Sequence, residues 1–216
     1  MESPIKNNHF IWLAIAMVGM MLAGAFSRDI ENSLTLQLFE YSSLALLLLS
    51  LLSLKTDRKR GKALMMILGV MVAVVVVRGV TEVAYFEYFY LSLLLAFMLT
   101  AGWLVGSQVL LTGSVNLNVI VGSLTLYLIL GYIWSIFYTF LLEFSPHALN
   151  GIEPATWYDN LPYTIYFSFV TLTTLGYGDI SPATPIAQVL VLLEAVTGMF
   201  YLAVIVASLI GSMRKQ

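Results

Sequence analysis

The sequence contains no cysteine, which excludes disulfides, thiolate chemistry and cysteine-ligated metals. Histidine is nearly missing as well: His9 and His147 are too few and too far apart in sequence for a convincing metal site. Charge is scarce, because Asp, Glu, Lys and Arg make up 10% of the 216 residues, against roughly 25% in a soluble domain. The net charge is -2 and no Lys/Arg cluster is interleaved with aromatics, so nucleic-acid binding is set aside. Apolar residues dominate instead, at 60% of the chain with a mean hydropathy of +0.91. That much apolar surface requires lipid to cover it.

A bilayer core about 30 Å thick takes roughly 20 apolar residues as helix. Six segments of that size stand between charged or Gly/Asn/Pro-rich breaks. The first three run from Phe10 to Phe26, from Leu34 to Leu54 and from Ala63 to about Val80. Tyr88 to Leu142 holds no Asp, Glu, Lys or Arg, and the polar break at Thr112 to Asn118 divides it into a fourth and a fifth span. The sixth runs from about Ile186 to Ile210. The expected fold is an all-α membrane protein with six transmembrane helices, residues 1–112 carrying four of them and residues 113–216 the other two.

Basic loops stay cytoplasmic, which fixes the orientation. With both termini inside, Lys6, the run Lys55 to Lys62, Arg214 and Lys215 are all cytoplasmic, and the acidic residues of the segment Glu143 to Pro185 face outward. Ala23-Gly24-Ala25 offers a competing reading as a signal-peptidase site. The weakly basic residues ahead of it speak against cleavage, which would in any case leave the remaining spans as they are. The expected location is the cell membrane, plasma or inner, as a multi-pass protein surrounded by its lipids.

A chain inside a membrane exposes backbone only where it lines an aqueous cavity, and an ion leaving water must be given oxygens in place of its hydration shell. Thr174-Leu175-Gly176-Tyr177-Gly178 suits that task. Its two glycines relax the φ/ψ limits and let successive carbonyls point the same way, while Thr174 adds a hydroxyl oxygen at the inner end. The longer run from Tyr166 through Asp179 to Pro182 resembles the potassium channel pore family, over about Val115 to Ser212.

That resemblance implies a re-entrant pore helix and filter loop between the fifth and sixth spans, with K⁺ as the permeant ion, no cofactor, and a homotetramer closing the filter. Asp159 or Asn160 is expected to cap the pore helix, with Pro162 in its first turn. Tyr166 and Phe167 occupy the family's aromatic cuff, Thr173 lies at the helix end, and Tyr166 is expected to hydrogen-bond Asp179. Leu175 departs from the usual Val or Ile. The resemblance also makes Gly198, 19 residues beyond Asp179, an inner-helix hinge, although a glycine there equally permits close helix packing.

Six spans with a pore between the last two are also the plan of voltage-gated channels, yet Tyr88 to Leu111 contains no Lys or Arg to move through a field. The first four spans are therefore expected to be sensor-like in plan without gating charges. Their role is left among scaffold, ligand or lipid site, and partner binding. No regulatory domain is expected after Ser212, since four residues follow it. Glu194, the only acid of the sixth span, lies four positions before Gly198 and so on the same helix face. Of its two readings, a carboxylate facing the ion cavity and a structural one bonded to Ser168 or Thr171, the structural is favoured, because four carboxylates around one cavity repel. A weakly selective monovalent cation channel is the alternative function. A secondary transporter lacks its internal repeat, and an enzyme lacks convergent acid, base and nucleophile.

Overall fold

The computed structural model describes residues 9–29, 44, 47–48, 58–81, 85–110 and 117–213. Most of the second span, Leu34 to Leu54, lies outside the described residues, as do Lys6, Arg214, Lys215 and the break at 111–116. By internal contacts the chain divides into two units, Met1–Ile129 and Leu130–Gln216. The sequence division at 112/113 marks a break between spans, whereas this one falls inside a helix.

The first unit holds α1 (His9–Asp29), α2 (Arg58–Thr81), α3 (Tyr85–Leu110) and the start of α4 (Leu117–Phe144). No proline interrupts these helices, and long runs of Leu, Met, Val and Phe favour them, while Ser92, Thr100, Ser123 and Thr125 return their hydroxyls to the carbonyl one turn before. α2 packs against α3. Leu13 and Met17 of α1, Leu64 and Met71 of α2, and Leu91, Phe97 and Met98 of α3 are fully buried or nearly so.

The second unit contains the rest of α4, then β1 (Leu149–Asn150), α5 (Trp157–Leu172), β2 (Ser181–Pro182) and α6 (Pro185–Met213). β1 and β2 pair antiparallel, Leu149 opposite Pro182 and Asn150 opposite Ser181. The Ala183 amide extends the pairing by donating to the Ala148 carbonyl at 2.8 Å. Beneath this hairpin Tyr138, Leu142, Leu149, Ile152, Phe167 and Ile180 form a buried apolar cluster. α6 begins as an N-terminus should: Thr184 accepts the Ala187 amide on its hydroxyl at 3.3 Å, and Pro185 fills the first helical position, where its missing N–H costs nothing.

Among the described residues three helices are long and apolar enough to cross a membrane, over Tyr88–Val109, Leu117–Phe144 and Pro185–Ile205, and Phe10–Ala25 and Lys62–Val77 are shorter apolar helices. The first, third, fourth, fifth and sixth expected spans thus coincide with helices. α6 differs from the other two long helices in being almost bare: only 11% of its apolar window is buried within the chain. α5 is too short to cross and lies between α4 and α6 in sequence. It starts earlier than expected, with Thr156 as the N-cap residue. Thr156 donates its hydroxyl to Asp159 Oδ2 at 2.6 Å and gives no side-chain cap to the helix, so Asp159 sits in the first turn and Pro162 well inside. The expectation that Asp159 or Asn160 caps the helix is thereby corrected: Asn160 is already helical, its amide bonded to the Thr156 carbonyl at 3.0 Å.

Candidate functional site

The C-terminal end of α5 determines the course of the chain that follows. Thr173 is the C-cap, in right-handed conformation, and Thr174 after it has φ of 59°. The Thr174 amide donates to the Thr171 carbonyl and the Leu175 amide to the Val170 carbonyl, both at 2.9 Å. This is a Schellman ending, in which the left-handed position normally falls to glycine. Here it is a β-branched residue, a rare occupant whose cost is of order 1–3 kcal/mol. Nothing in the residue types marks this position, since a threonine at φ > 0 runs against its own preference.

Beyond Thr174, left-handed backbone recurs at every second residue, with φ of 58° at Gly176 and 82° at Gly178. Leu175 and Tyr177 lie between them with φ of the ordinary sign. The Gly176 amide also turns back toward α5, donating to the Val170 carbonyl at 3.3 Å. A trans peptide holds its N–H and C=O in opposite directions, and the described residues contain no cis bond. With the amides of Thr174, Leu175 and Gly176 all directed at the helix end, the carbonyls of Thr173, Thr174 and Leu175 are directed away from it. Residues 173–179 are all exposed within the single chain, Tyr177 by 68% and Leu175 by 55%.

The residues around this segment are held from several sides. Tyr166 donates its hydroxyl to Asp179 Oδ2 at 2.7 Å, the bond expected from the sequence. That bond is the main reason why the Asp179 carboxyl is held below its ordinary range. Phe167 is buried, edge-on to the Tyr138 ring at 5.0 Å between centroids. The Thr173 hydroxyl turns back to the Phe169 carbonyl at 2.6 Å, so that side chain serves the helix end.

Glu194 and Gly198 both meet α5. Glu194 is completely buried, with Tyr138 donating to Oε2 and Ser168 close to Oε1, each at 2.5 Å. Ser168 also lies 2.8 Å from the Gly131 carbonyl of α4. The partner Ser168 was among those expected; Tyr138 was not, being 56 positions away with nothing local to mark it. One turn further along α6, a Cβ placed on Gly198 would collide with the Leu172 carbonyl oxygen. Of the two readings of this glycine, close packing therefore has a direct physical cause, and α6 is an unbroken helix through it. A second polar link joins α4 to α5, where the Thr139 and Thr164 hydroxyls are 2.8 Å apart.

Residues 122–215 match the family model described as ion channel. No curated protein and no solved structure matches the chain. The family match covers the second unit and most of α4, and with the apolar helices it supports a membrane-embedded ion channel pore, a channel and not an enzyme. Among the described residues no group of three or more His, Cys, Asp or Glu is placed to hold a metal.

Proposed function

We propose that the chain is one subunit of a potassium-selective channel, with the ion path lined by the backbone carbonyls of residues 173 to 178. The observation that carries this reading is the direction of the peptide groups: three successive amides are spent on the end of α5, which leaves three successive carbonyls in a row on the opposite side. Such a row is what replaces the hydration shell of a cation in a filter of the Thr-x-Gly-Tyr-Gly kind. The Thr174 hydroxyl adds a further oxygen, and the alternating φ at Gly176 and Gly178 continues the arrangement toward Asp179. The end of α5 that faces the segment is the negative end of its dipole, which favours a cation there.

One chain contributes one strand of carbonyls, whereas a cation surrounded on all sides needs several. Four copies about one axis meet that need, with the exposed apolar face of α6, including Ile186, Val189, Leu193 and Phe200, covered by neighbours or lipid. Six spans, with both termini and the basic run Lys55 to Lys62 on the cytoplasmic side, complete the subunit. K⁺ and Rb⁺ flux into liposomes containing the purified protein, with Na⁺ excluded and Ba²⁺ blocking, is the expected result. Equal uptake of Na⁺ assigns the chain to weakly selective cation channels instead.

A further inference from the structure

Two contacts of α6 on α5 are in register. Glu194 meets Ser168 and, four residues later on the same face of α6, Gly198 meets the carbonyl of Leu172, four residues after Ser168. The two differ in kind. At Gly198 two backbones touch, which fixes their separation but resists only approach. At Glu194 two hydroxyls hold a carboxyl group, which resists sliding and withdrawal. Leu172 is followed immediately by Thr173 and Thr174, so α6 is fastened to the pore helix one turn before the carbonyl row begins.

We infer that Glu194 is a positioning residue for residues 173–178, acting through Ser168 on the C-terminal half of α5 and through Tyr138 on α4. The location of the group argues for this role over a role in the ion path: Glu194 has no exposed surface within its own chain, so its carboxyl reaches the ion path only through the helices that it joins. No Lys or Arg occurs from residue 131 to residue 213, so among the described residues of the second unit no Lys or Arg pairs with it as an ion. Its partners are hydroxyls alone, each at 2.5 Å. A buried polar group of this kind costs stability unless every partner is present, and removing one member leaves the others unsatisfied. The alternatives along α6 illustrate why a long polar side chain is needed, since Leu193 and Ala195 on either side of it offer no hydrogen bond that would hold α5 against withdrawal.

The consequence for ion selection rests on the reading of residues 173–178 as the ion path; the fastening itself does not. Amide hydrogen exchange over residues 168–178 in the full-length protein, compared among the wild type, Glu194→Ala, Ser168→Ala and Glu194→Gln, tests the fastening. Gln keeps one acceptor for one hydroxyl and supplies an N–H to the oxygen of the other, so it is the conservative replacement. Exchange about tenfold faster or more in Glu194→Ala and Ser168→Ala, confined to this segment and reversed in Glu194→Gln, is the expected result. Exchange at the wild-type rate in Ser168→Ala overturns the inference, as does acceleration spread evenly over α4, α5 and α6, which makes Glu194 a general stability residue. Ser168→Ala loses one oxygen and opens almost no space, so it serves where Glu194→Ala fails to assemble. In bilayers the same two variants are expected to lower the K⁺/Na⁺ permeability ratio about tenfold, with recovery in Glu194→Gln. A wild type without selectivity refutes the ion-path reading and leaves the exchange result to decide the fastening. A selective wild type with unchanged ratios in both variants refutes the positioning role.

Discussion

The hydroxyl of Tyr166 reaches across thirteen positions of sequence to donate to Asp179, tying α5 to the chain that leaves the far end of residues 173–178. Both ends of that segment are thereby anchored to the same helix: the inner end by the Schellman ending at Thr174, the outer end by this bond.

The first prediction follows from the charge of Asp179. Its carboxyl is held below the ordinary range chiefly by the Tyr166 bond, so its contribution is present above the unfolded carboxylate range and is lost as pH falls through the lowered native value. In Tyr166→Phe that support disappears and protonation sets in at higher pH. Channel current measured against external pH should therefore fail earlier on acidification in Tyr166→Phe than in the wild type. Superimposable acid profiles would show that the bond is not formed in the conducting protein.

Gly198 and Gly176 separate two reasons for glycine. A Cβ on Gly198 meets backbone, which cannot move aside as a side chain does, so Gly198→Ala should destabilise the assembled protein by about 1–3 kcal/mol, the usual cost of overpacking. Thermal unfolding in detergent measures this. An unchanged melting temperature would mean that α6 stands too far from Leu172 for a Cβ on Gly198 to reach its carbonyl.

At Gly176 there is open space around the added atom but φ is 58°, so the cost is conformational. Gly176→Ala should cost about 1–2 kcal/mol in the backbone alone. It should abolish K⁺ conduction while leaving the rest of the subunit folded, with circular dichroism matching the wild type. Retained conduction in Gly176→Ala would mean that the left-handed backbone is not needed for the path.

Much of this was legible in the sequence because it is local. The spans are runs of apolar residues, and Thr174 to Gly178 stands out by its glycines; the Tyr166 to Asp179 bond was expected from the longer resemblance. What escaped the sequence depends on pairing at a distance or on a residue acting against its type. Tyr138 meets Glu194 from another helix, and β1 and β2 are two residues each, too short for any alternation to show. Thr156, the N-cap residue, is a weaker capping type than Asp159 and Asn160 close after it, so residue type alone points past the true start of α5. Thr174 in a left-handed position runs against the preference of every β-branched residue, and is held there by three amides that turn back to α5.

The fourth span provides another test. Each elementary charge moved across the membrane is worth about 2.3 kcal/mol per 100 mV, and Tyr88 to Leu111 carries no Lys or Arg. Open probability in single-channel recordings is expected to change little with voltage between inward and outward driving forces. A steep conductance-voltage curve would require moving charge elsewhere, and would identify the first four spans as a sensor of another design.

The central claim is that the carbonyls of residues 173 to 178 select K⁺. The most direct measurement is the reversal potential of the purified protein in planar bilayers with K⁺ on one side and Na⁺ on the other, for the wild type and for Gly176→Ala. The account predicts a wild-type reversal close to the K⁺ equilibrium potential and no K⁺-selective current from the variant. A wild-type reversal near zero, with both ions carried equally, would contradict it.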